Sequence, residues 1–422
     1  MMTFINKLFS NAYTCSFIKK CNVIAFGILS TALLNRYLGP AIKGEYAYVL
    51  SMVNILVVVF NMGITLSYPN FKRRKDLDYL PIFLSLVMVE FVILLILTVC
   101  LGFFIQNIRL FFVCLMTTVS VFRMQLNYIN LVENIKYHSI ITTVSAIGNA
   151  AMFLIVFLLT DTNIIIAYFI YIAKDMIIIV FSLCNLGVKL NSIKGYMVIW
   201  KDIIKFGLIP MYTTLLISIN YKVDVILLKL FDVHLIQIGL YTVGVSLAEY
   251  GWLIPDIFKD VMINKTAKKD DIENMTFSLR MSSTMMIIVF IVISVVGKQI
   301  LTLLFGSAFR GAYAVTVIIF IGIYSMIYCK IIGTLYIAKG QWAFYAKVLT
   351  LSVVANIGMN MLLIPKWGMY GAAASSILSY TIAGLAFFID FKNTYNLKAV
   401  NLVCISKADI INVIKMFTKL KD

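Results

Sequence analysis

Charged residues and prolines are scarce in this sequence. Aspartate, glutamate, lysine and arginine make up only 13% of its 422 residues, and just 6 residues are proline. Because about a quarter of a typical soluble domain is charged, the composition excludes an ordinary water-soluble protein. Instead, 62% of the residues are hydrophobic. Apolar runs of about 20 residues, each long enough to cross a bilayer as a helix, recur from end to end, without the alternation of a membrane β-barrel.

Histidine and clustered cysteine, which are common metal ligands, are also scarce. His138 and His234 lie far apart with no ligand spacing around them, and none of the 7 cysteines forms a CxxC motif. The cysteines lie mostly inside apolar runs, so we interpret them as small hydrophobic residues. No Ser/His/Asp, Cys/His or phosphate-binding glycine motif has a plausible context. The sequence therefore predicts neither a metal site nor a catalytic residue, and we expect a protein that is not an enzyme.

Twelve apolar segments predict the transmembrane helices. We place them at residues 21–35, 46–68, 81–105, 108–131, 139–160, 163–186, 206–230, 238–258, 283–305, 313–338, 345–364 and 369–390. Lysine and arginine concentrate in the loops on the same side as the N-terminus, so the positive-inside rule predicts that both termini are cytoplasmic. This topology accounts for the net charge of +17. A nucleic-acid partner is not expected, because it would need a basic face on a soluble domain.

The two halves of the chain resemble each other. GEYAYVLSMV (44–53) is echoed by GLYTVGVSLA (239–248), and an Ile-Gly pair at 147–148 recurs at 357–358. Such repeats are typical of transporters whose substrate site lies near mid-membrane, between the halves.

We therefore predict an all-α integral membrane protein of about 12 transmembrane helices. Two six-helix halves, 1–195 and 196–392, are expected to surround a central cavity. The remaining segment, 393–422, contains DIINVIKMFTKLK, whose apolar residues share one helical face with lysines opposite. This basic amphipathic tail is expected to lie on the cytoplasmic surface of the membrane.

Four stretches, in order along the chain, carry a resemblance to a known family. They are RYLGPAIKGEYAY (36–48), YKVDVILLKLF followed by IGLYTVGVSLAE (221–231 and 238–249), ILTLLFGSAFRGA (300–312) and NIGMNMLLIPKWGMYGAAASS (356–376). Together they resemble the Wzx-type O-antigen and polysaccharide-unit flippases of the multidrug/oligosaccharidyl-lipid/polysaccharide exporter superfamily. The stretch VMINKTAKK (261–269) departs from the family, which often has a proline shortly after the eighth span.

The resemblance implies a flippase of the bacterial inner membrane. Its substrate would be an undecaprenyl-diphosphate-linked oligosaccharide, moved by alternating access from the cytoplasmic to the periplasmic face during O-antigen or lipopolysaccharide biosynthesis. Expected partners are this lipid-linked substrate, membrane lipid, a polysaccharide polymerase and a chain-length regulator. We expect a monomer, with a proton or sodium ion as the coupling ion and no other cofactor.

Eight charged residues lie inside the predicted spans, where a charge costs about 2.5–3.5 kcal/mol on insertion scales. Four lie near the span centres: Glu90, Lys174, Asp175 and Glu249. Four lie nearer an edge, where side chains can snorkel towards the headgroups: Arg123, Lys222, Asp224 and Lys330. The central charges predict either ion pairs between helices or a hydrated cavity in which cations meet an anionic substrate.

The fourth span supports a cavity. Arg123, Asn127, Asn130 and Asn134 recur at helical spacing and form one polar stripe. Lipid does not tolerate such a face, so the stripe is expected to face the protein interior or, at Asn134, to pass the membrane edge.

These residues receive roles from the chemistry of a lipid-linked diphosphate, a compact anion that suits lysine and arginine. The predicted substrate-binding residues are Arg123, Lys174, Lys222, Asp224, Lys330, Asn127 and Asn130. Asp224 is expected to orient Lys222 or to bind sugar hydroxyls. The predicted ion-coupling residues are Glu249, Glu90 and Asp175, because removal of a carboxylate from water favours its protonated form.

Two rival functions remain open from the sequence. A cation-coupled drug antiporter of the same superfamily would share the twelve spans, but a cavity for cationic drugs should favour acids over bases. A membrane polysaccharide polymerase, ligase or glycosyltransferase usually needs a long outer loop or a soluble domain, and the sequence has neither. The single DxD motif, Asp76-Leu77-Asp78, lies beside the basic run 72–75, which is typical of a solvated cytoplasmic loop.

Overall fold

The computed structural model of the chain describes residues 12–74, 76–105, 107–187, 196–266, 271–405 and 409. Within these ranges the regular structure is helical, and ten segments are long and apolar enough to cross a membrane. The chain divides into two compact units, Met1–Ser218 and Ile219–Asp422. This division lies inside a helix, and the functional boundary at 195/196 stays a prediction.

The first unit contains the helices that cover the first six predicted spans, together with the first part of the helix that covers the seventh. They are α1 (Ala12–Phe60), α2 (Ile64–Arg74), α3 (Tyr79–Ile105), α4 (Ile108–Glu133), α5 (Ile135–Leu159), α6 (Ile164–Leu186) and the first part of α7 (Met197–Leu230). Helix α1 packs against α5 and α4, and α4 also packs against α3 and α6. Helix α4 therefore contacts most of the unit, which explains why its polar stripe is available to several neighbours.

Helix α1 is two membrane helices joined at a break. Gly39 has φ 65° and ψ 171°, a backbone conformation that favours glycine, and Pro40 then begins the second helix with its φ already fixed. The Tyr37 hydroxyl fixes the break by donating to the carbonyl of Asp161 (2.7 Å) and accepting from the amide of Asn163 (3.0 Å). The motif RYLGP therefore positions the first loop against the loop between α5 and α6.

The second unit contains the end of α7 and the helices that follow. They are α8 (Leu235–Glu249), α9 (Leu253–Thr266), α10 (Ile272–Phe305), α11 (Tyr313–Ala338), α12 (Trp342–Trp367), α13 (Met369–Thr394) and the short α14 (Val400–Val403). A 3-10 turn, Tyr250–Trp252, joins α8 to α9, so the predicted span 238–258 is two short helices rather than one.

The predicted fold class is confirmed. Helix α1 is one of the ten segments but contains two spans, one on each side of its break. Helices α8 and α9 are each too short to be among the ten, but together they form one further span. With these, the described part of the chain has the twelve membrane helices expected of an all-α integral membrane protein. The amphipathic tail predicted within 393–422 lies outside the described residues from 410 onwards. Just before it, Asp409 pairs with Arg280 of α10 (2.7 Å).

Small residues let the helices of the second unit approach closely, as in other membrane bundles. An added Cβ at Gly384 of α13 would lie 2.0 Å from the Ser325 carbonyl oxygen of α11, and one at Gly322 would lie 3.1 Å from the Ile377 Cα. Ala372 and Ala373 of α13 are fully buried. At the start of α13, an added Cβ at Gly371 would lie 2.3 Å from the Leu363 carbonyl oxygen of α12, so the small residues there also pack against neighbouring backbone.

Candidate functional site

The first unit brings together three of the predicted site residues around one carboxylate. Asp175 of α6 is fully buried, and its Oδ2 accepts a hydrogen bond from the Ser120 hydroxyl of α4 (2.7 Å). Arg123 Nε lies 3.1 Å from the same oxygen, and Lys174 Nζ lies 3.5 Å from Oδ1. We call Arg123, Lys174, Asp175 and Ser120 the Asp175 cluster. Two cations share one carboxylate, so the cluster keeps an excess of positive charge.

Both cations of the Asp175 cluster are partly exposed. The side chains of Arg123 and Lys174 are 25% and 28% exposed, and Lys174 Nζ lies 4.2 Å from the centre of the Tyr171 ring. A charge deep within a span is not stable against hydrocarbon. This face of the first unit is therefore suited to contact water or an anion rather than lipid.

The polar stripe of α4 divides between different neighbours. Asn130 is fully buried and accepts a hydrogen bond from the Asn185 side chain of α6 (2.7 Å). Asn127 is half-buried, and its Oδ1 has no hydrogen-bond partner among the described residues. Asn134 caps α5 by accepting from the amide of Tyr137 (3.1 Å). Asn134 is therefore structural, whereas Asn127 extends the polar face beyond Arg123.

Glu90 lies apart from the Asp175 cluster. This residue of α3 is 8% exposed, and its Oε2 accepts a hydrogen bond from the side-chain amide of Gln125 on α4 (2.8 Å). Its neighbour Phe91 stacks on Phe122 with ring centres 4.2 Å apart. The sequence did not single out Gln125, which lies two residues after Arg123 and therefore on a different face of α4.

In the second unit, Asp224 of α7 is at the centre of a buried polar network. It is 2% exposed and accepts hydrogen bonds from the Tyr241 hydroxyl, the Ser376 hydroxyl and the Asn360 side-chain amide, all at 2.6 Å. Asn360 also donates to the Asn356 side chain (3.0 Å). The predicted role of Asp224, to orient Lys222 or to bind sugar hydroxyls, stays a prediction. Within the described residues its hydrogen-bond partners are these neutral donors.

One turn earlier on α7, Asn220 extends this network. Its side-chain amide donates to the Ser352 hydroxyl (3.1 Å), and its oxygen accepts from the Ser379 hydroxyl (2.5 Å). Asn220, Ser352 and Ser379 are all buried. A sequence signal was available here, because Asn356 and Asn360 lie one helical turn apart in an otherwise apolar span. Carboxylate, amide and hydroxyl oxygens suit a proton or a small hard cation, so this network is where the second unit can best hold one.

The other predicted charges of the second unit lie in two partly exposed ion pairs. Lys222 Nζ lies 3.8 Å from the Glu249 carboxylate, with side chains 33% and 27% exposed. Lys330 Nζ donates to Asp256 of α9 (2.9 Å) and lies 4.1 Å from the centre of the Trp252 ring. The sequence missed Asp256 and Trp252 because the irregular turn between α8 and α9, which presents them, leaves no periodic signal.

No protein-family model matches the chain, and no curated protein matches it. Solved structures do. Lipid II flippase MurJ in an inward closed conformation matches with a TM-score of 0.74 and 15% identity, covering 97% of this chain and 92% of that one. An inward-facing multidrug resistance MATE family transporter of the MOP superfamily matches with a TM-score of 0.69 and 11% identity, covering 88% and 94%. The MATE transporter VcmN of Vibrio cholerae, as its D35N mutant, matches with a TM-score of 0.59 and 11% identity, covering 94% and 99%.

These matches define the class of structure. The chain has the fold of the MOP transporters, the multidrug/oligosaccharidyl-lipid/polysaccharide exporter superfamily, over nearly its whole length. The three matched proteins are described as a lipid II flippase, a multidrug resistance transporter and a MATE transporter. Identities of 11–15% support a shared fold but do not identify the substrate. The substrate is inferred from the residues of the site.

Proposed function

We propose that this protein is a Wzx-type flippase of the bacterial inner membrane. It moves undecaprenyl-diphosphate-linked O-antigen or polysaccharide repeat units from the cytoplasmic to the periplasmic face by alternating access, with both termini in the cytoplasm. The observation that carries the proposal is that cations at span positions in both units are only partly buried: Arg123, Lys174, Lys222 and Lys330.

The chemistry of the substrate supports this proposal. A diphosphate is a compact anion, and charge-assisted hydrogen bonds from lysine or arginine stabilise it more strongly than neutral donors do. In the Asp175 cluster two cations share one carboxylate, so positive charge remains for a ligand. The likeness to a protein described as a lipid II flippase supports a lipid-linked substrate as the kind of cargo this fold carries.

A cation-coupled drug antiporter is the second candidate function. It is favoured by the likeness to MATE family transporters and by Glu90 and Asp224, two buried carboxylates for which the described residues give neutral hydrogen-bond partners. The partly exposed groups, however, are mainly cations, which would repel cationic drugs. A membrane polymerase or ligase has no comparable support.

Ion coupling is part of the proposal. Asp175 and Glu249 were both predicted to couple, but each has a cation within 4 Å, so a coupling ion would have to displace an ion pair. Glu90 and Asp224 are the better candidates for a coupling proton or sodium ion, because their partners are neutral. A polysaccharide polymerase and a chain-length regulator remain proposed partners of a monomeric flippase.

The test locates the lipid-linked oligosaccharide in cells that lack the protein. An impermeant reagent that modifies sugars is applied to each face of the inner membrane. Units trapped on the cytoplasmic face should be rescued by the wild type and by Lys298→Ala, whose lysine lies exposed on α10. With Lys174→Ala or Lys222→Ala, the fraction of units that reaches the periplasmic face should fall at least about tenfold below that of the wild type. The reason is that a hydrogen bond to a charged group contributes about 1.5–3 kcal/mol.

Two outcomes would contradict this function. If units reach the outer face but are never joined, the protein acts after translocation, as a polymerase or ligase would. If both lysine variants rescue as well as the wild type at equal membrane abundance, the proposed anion-binding residues are wrong.

A further inference from the structure

Glu90 and Gln125 form an isolated polar pair in the interior of the first unit. Glu90 is 8% exposed and Gln125 is 1% exposed. One hydrogen bond joins them, from Gln125 Nε2 to Glu90 Oε2, at 2.8 Å. This bond holds the carboxyl group of α3 next to the amide group of α4.

Each member of the pair also has one oxygen without a partner. Glu90 Oε1 and Gln125 Oε1 are both buried, and neither has a hydrogen bond among the described residues. Buried polar atoms are almost always satisfied, because water's hydrogen bonds are otherwise lost without replacement. Both orphaned oxygens are acceptors, and they belong to the two groups that the existing bond already holds together.

Charged groups on the helices packed against α3 either pair with other residues or are exposed. On α4, Arg109 pairs with Glu45, Arg123 with Asp175, and Glu133 with Lys72. On α2 and at the start of α7 the charged residues are exposed, namely Lys72, Arg73, Arg74, Lys201, Asp202 and Lys205. Within the described residues, the hydrogen bond given to the Glu90 carboxyl group comes from a neutral amide.

We propose that Glu90 is a proton-binding site and that Gln125 is the residue that holds its protonated form. A hydronium ion of the solvent transfers its proton to Glu90 Oε1 and leaves as water, and the new O–H donates a hydrogen bond to Gln125 Oε1. The existing hydrogen bond from Gln125 Nε2 to Glu90 Oε2 is kept. The result is a cyclic acid–amide pair with two hydrogen bonds, in which the acid is neutral and both orphaned oxygens are satisfied.

A proton suits this pair better than a metal ion. A hard cation such as sodium needs several oxygen ligands, and the pair offers two free oxygens beside an amide whose N–H groups repel a cation. Loss of the proton would leave a bare carboxylate in the interior, which is costly unless water reaches it. Proton release therefore requires the contact between α3 and α4 to open, so the proton can be tied to a conformational step. This coupling role rests on the proposed transport function, whereas the protonated state does not.

Infrared difference spectroscopy of the full-length protein in lipid vesicles tests the protonated state. The spectrum of the wild type minus that of Glu90→Gln, both at neutral pH, should contain a carboxylic acid C=O band. In Gln125→Leu this band should shift, because the acid loses its hydrogen-bond acceptor. Glu45→Gln is the matched control, because the Glu45 carboxylate lies 2.6 Å from the Arg109 guanidinium. Replacing Glu45 should abolish only carboxylate bands. An ionised carboxylate band for Glu90, or an acid band that shifts with added sodium chloride, would overturn the proposal.

Transport assays separate the coupling role from the proposed function. Oligosaccharide translocation by the wild type should depend on pH, and Glu90→Gln should remove that dependence at equal membrane abundance. A pH dependence that Glu90→Gln retains would overturn the coupling role. Failure of the wild type to translocate any lipid-linked oligosaccharide would instead contradict the proposed function and leave the infrared result standing.

Discussion

At the scale of single residues, two buried aspartates are held in opposite ways. Asp175 is compensated by charge, because Arg123 and Lys174 lie within 4 Å of it. Asp224 is compensated by hydrogen bonds alone, from a tyrosine, a serine and an asparagine. In the first arrangement cations balance the charge of the carboxylate, whereas in the second a cation or proton can bind without breaking an ion pair. The two sites therefore suit different tasks, anion contact in one unit and cation binding in the other.

This difference gives a prediction for Asp224→Ala. The substitution leaves three buried donors without an acceptor, and each that finds no new partner costs about 1–3 kcal/mol. Thermal unfolding of the purified protein, followed by intrinsic fluorescence, should show a clearly lower midpoint. Glu249→Ala is the control, because an exposed ion pair contributes only about 0–1 kcal/mol and Glu249 is 27% exposed at 3.8 Å from Lys222. Equal midpoints for the two variants would show that the network does not stabilise the unit.

The sequence located the buried charges but not their partners. Asp224 and Glu90 stand out in apolar spans, whereas Ser376 and Gln125 are unremarkable polar residues on other helices. Asn360 carries a signal through its spacing from Asn356, but that signal does not show which carboxylate it contacts. The roles predicted for Asp224 concern Lys222 across a helix interface or sugar hydroxyls, and neither names the residues that contact it here. In the structure the partners of Asp224 lie up to 152 positions away, so this part of the site was beyond inference from the sequence.

At the scale of helices, the spans were predictable because length and apolarity determine which segments can cross a bilayer. The break in α1 was also visible, since Gly39-Pro40 both permits a positive φ and begins a new helix. The break between α8 and α9 was missed, although Gly251 in the 3-10 turn and Pro255 in the first turn of α9 are residues that mark such breaks. That turn brings Trp252 and Asp256 towards Lys330, so the missed element and the missed site residues have the same cause.

Close helix packing gives the prediction for this scale. In Gly384→Ala the new Cβ would lie 2.0 Å from the Ser325 carbonyl oxygen, so α11 and α13 must separate, and overpacking of this kind costs about 1–3 kcal/mol. Gly358→Ala is the matched control, because nothing lies within 4 Å of its Cβ and alanine favours a helix over glycine by about 1 kcal/mol. The unfolding midpoint should fall for the first variant and stay equal or rise for the second. A fall in both would mean that the loss is not one of packing.

At the scale of the whole molecule, the predicted topology would account for the net charge of +17. The proposed flippase needs a defined direction in the membrane, and a bias of lysine and arginine towards alternate loops is what would set it during insertion. The basic run 72–75 begins in the last turn of α2, while the loop between α5 and α6 contains Asp161 and no lysine or arginine. The proposed direction of transport therefore depends on the run 72–75 being cytoplasmic and the loop between α5 and α6 being periplasmic.

Single cysteines in a cysteine-free background test this orientation. Arg73→Cys and Asp161→Cys each replace an exposed side chain. In intact spheroplasts an impermeant maleimide should label the cysteine at position 161 strongly, and the one at position 73 only after the membrane is permeabilised. The permeabilised sample also controls for reactivity, since both positions should then be labelled. Labelling of position 73 in intact spheroplasts, with position 161 protected, would show that the topology is the opposite of the one predicted. It would place the bias of basic residues outside and overturn the cytoplasm-to-periplasm direction proposed for the flippase.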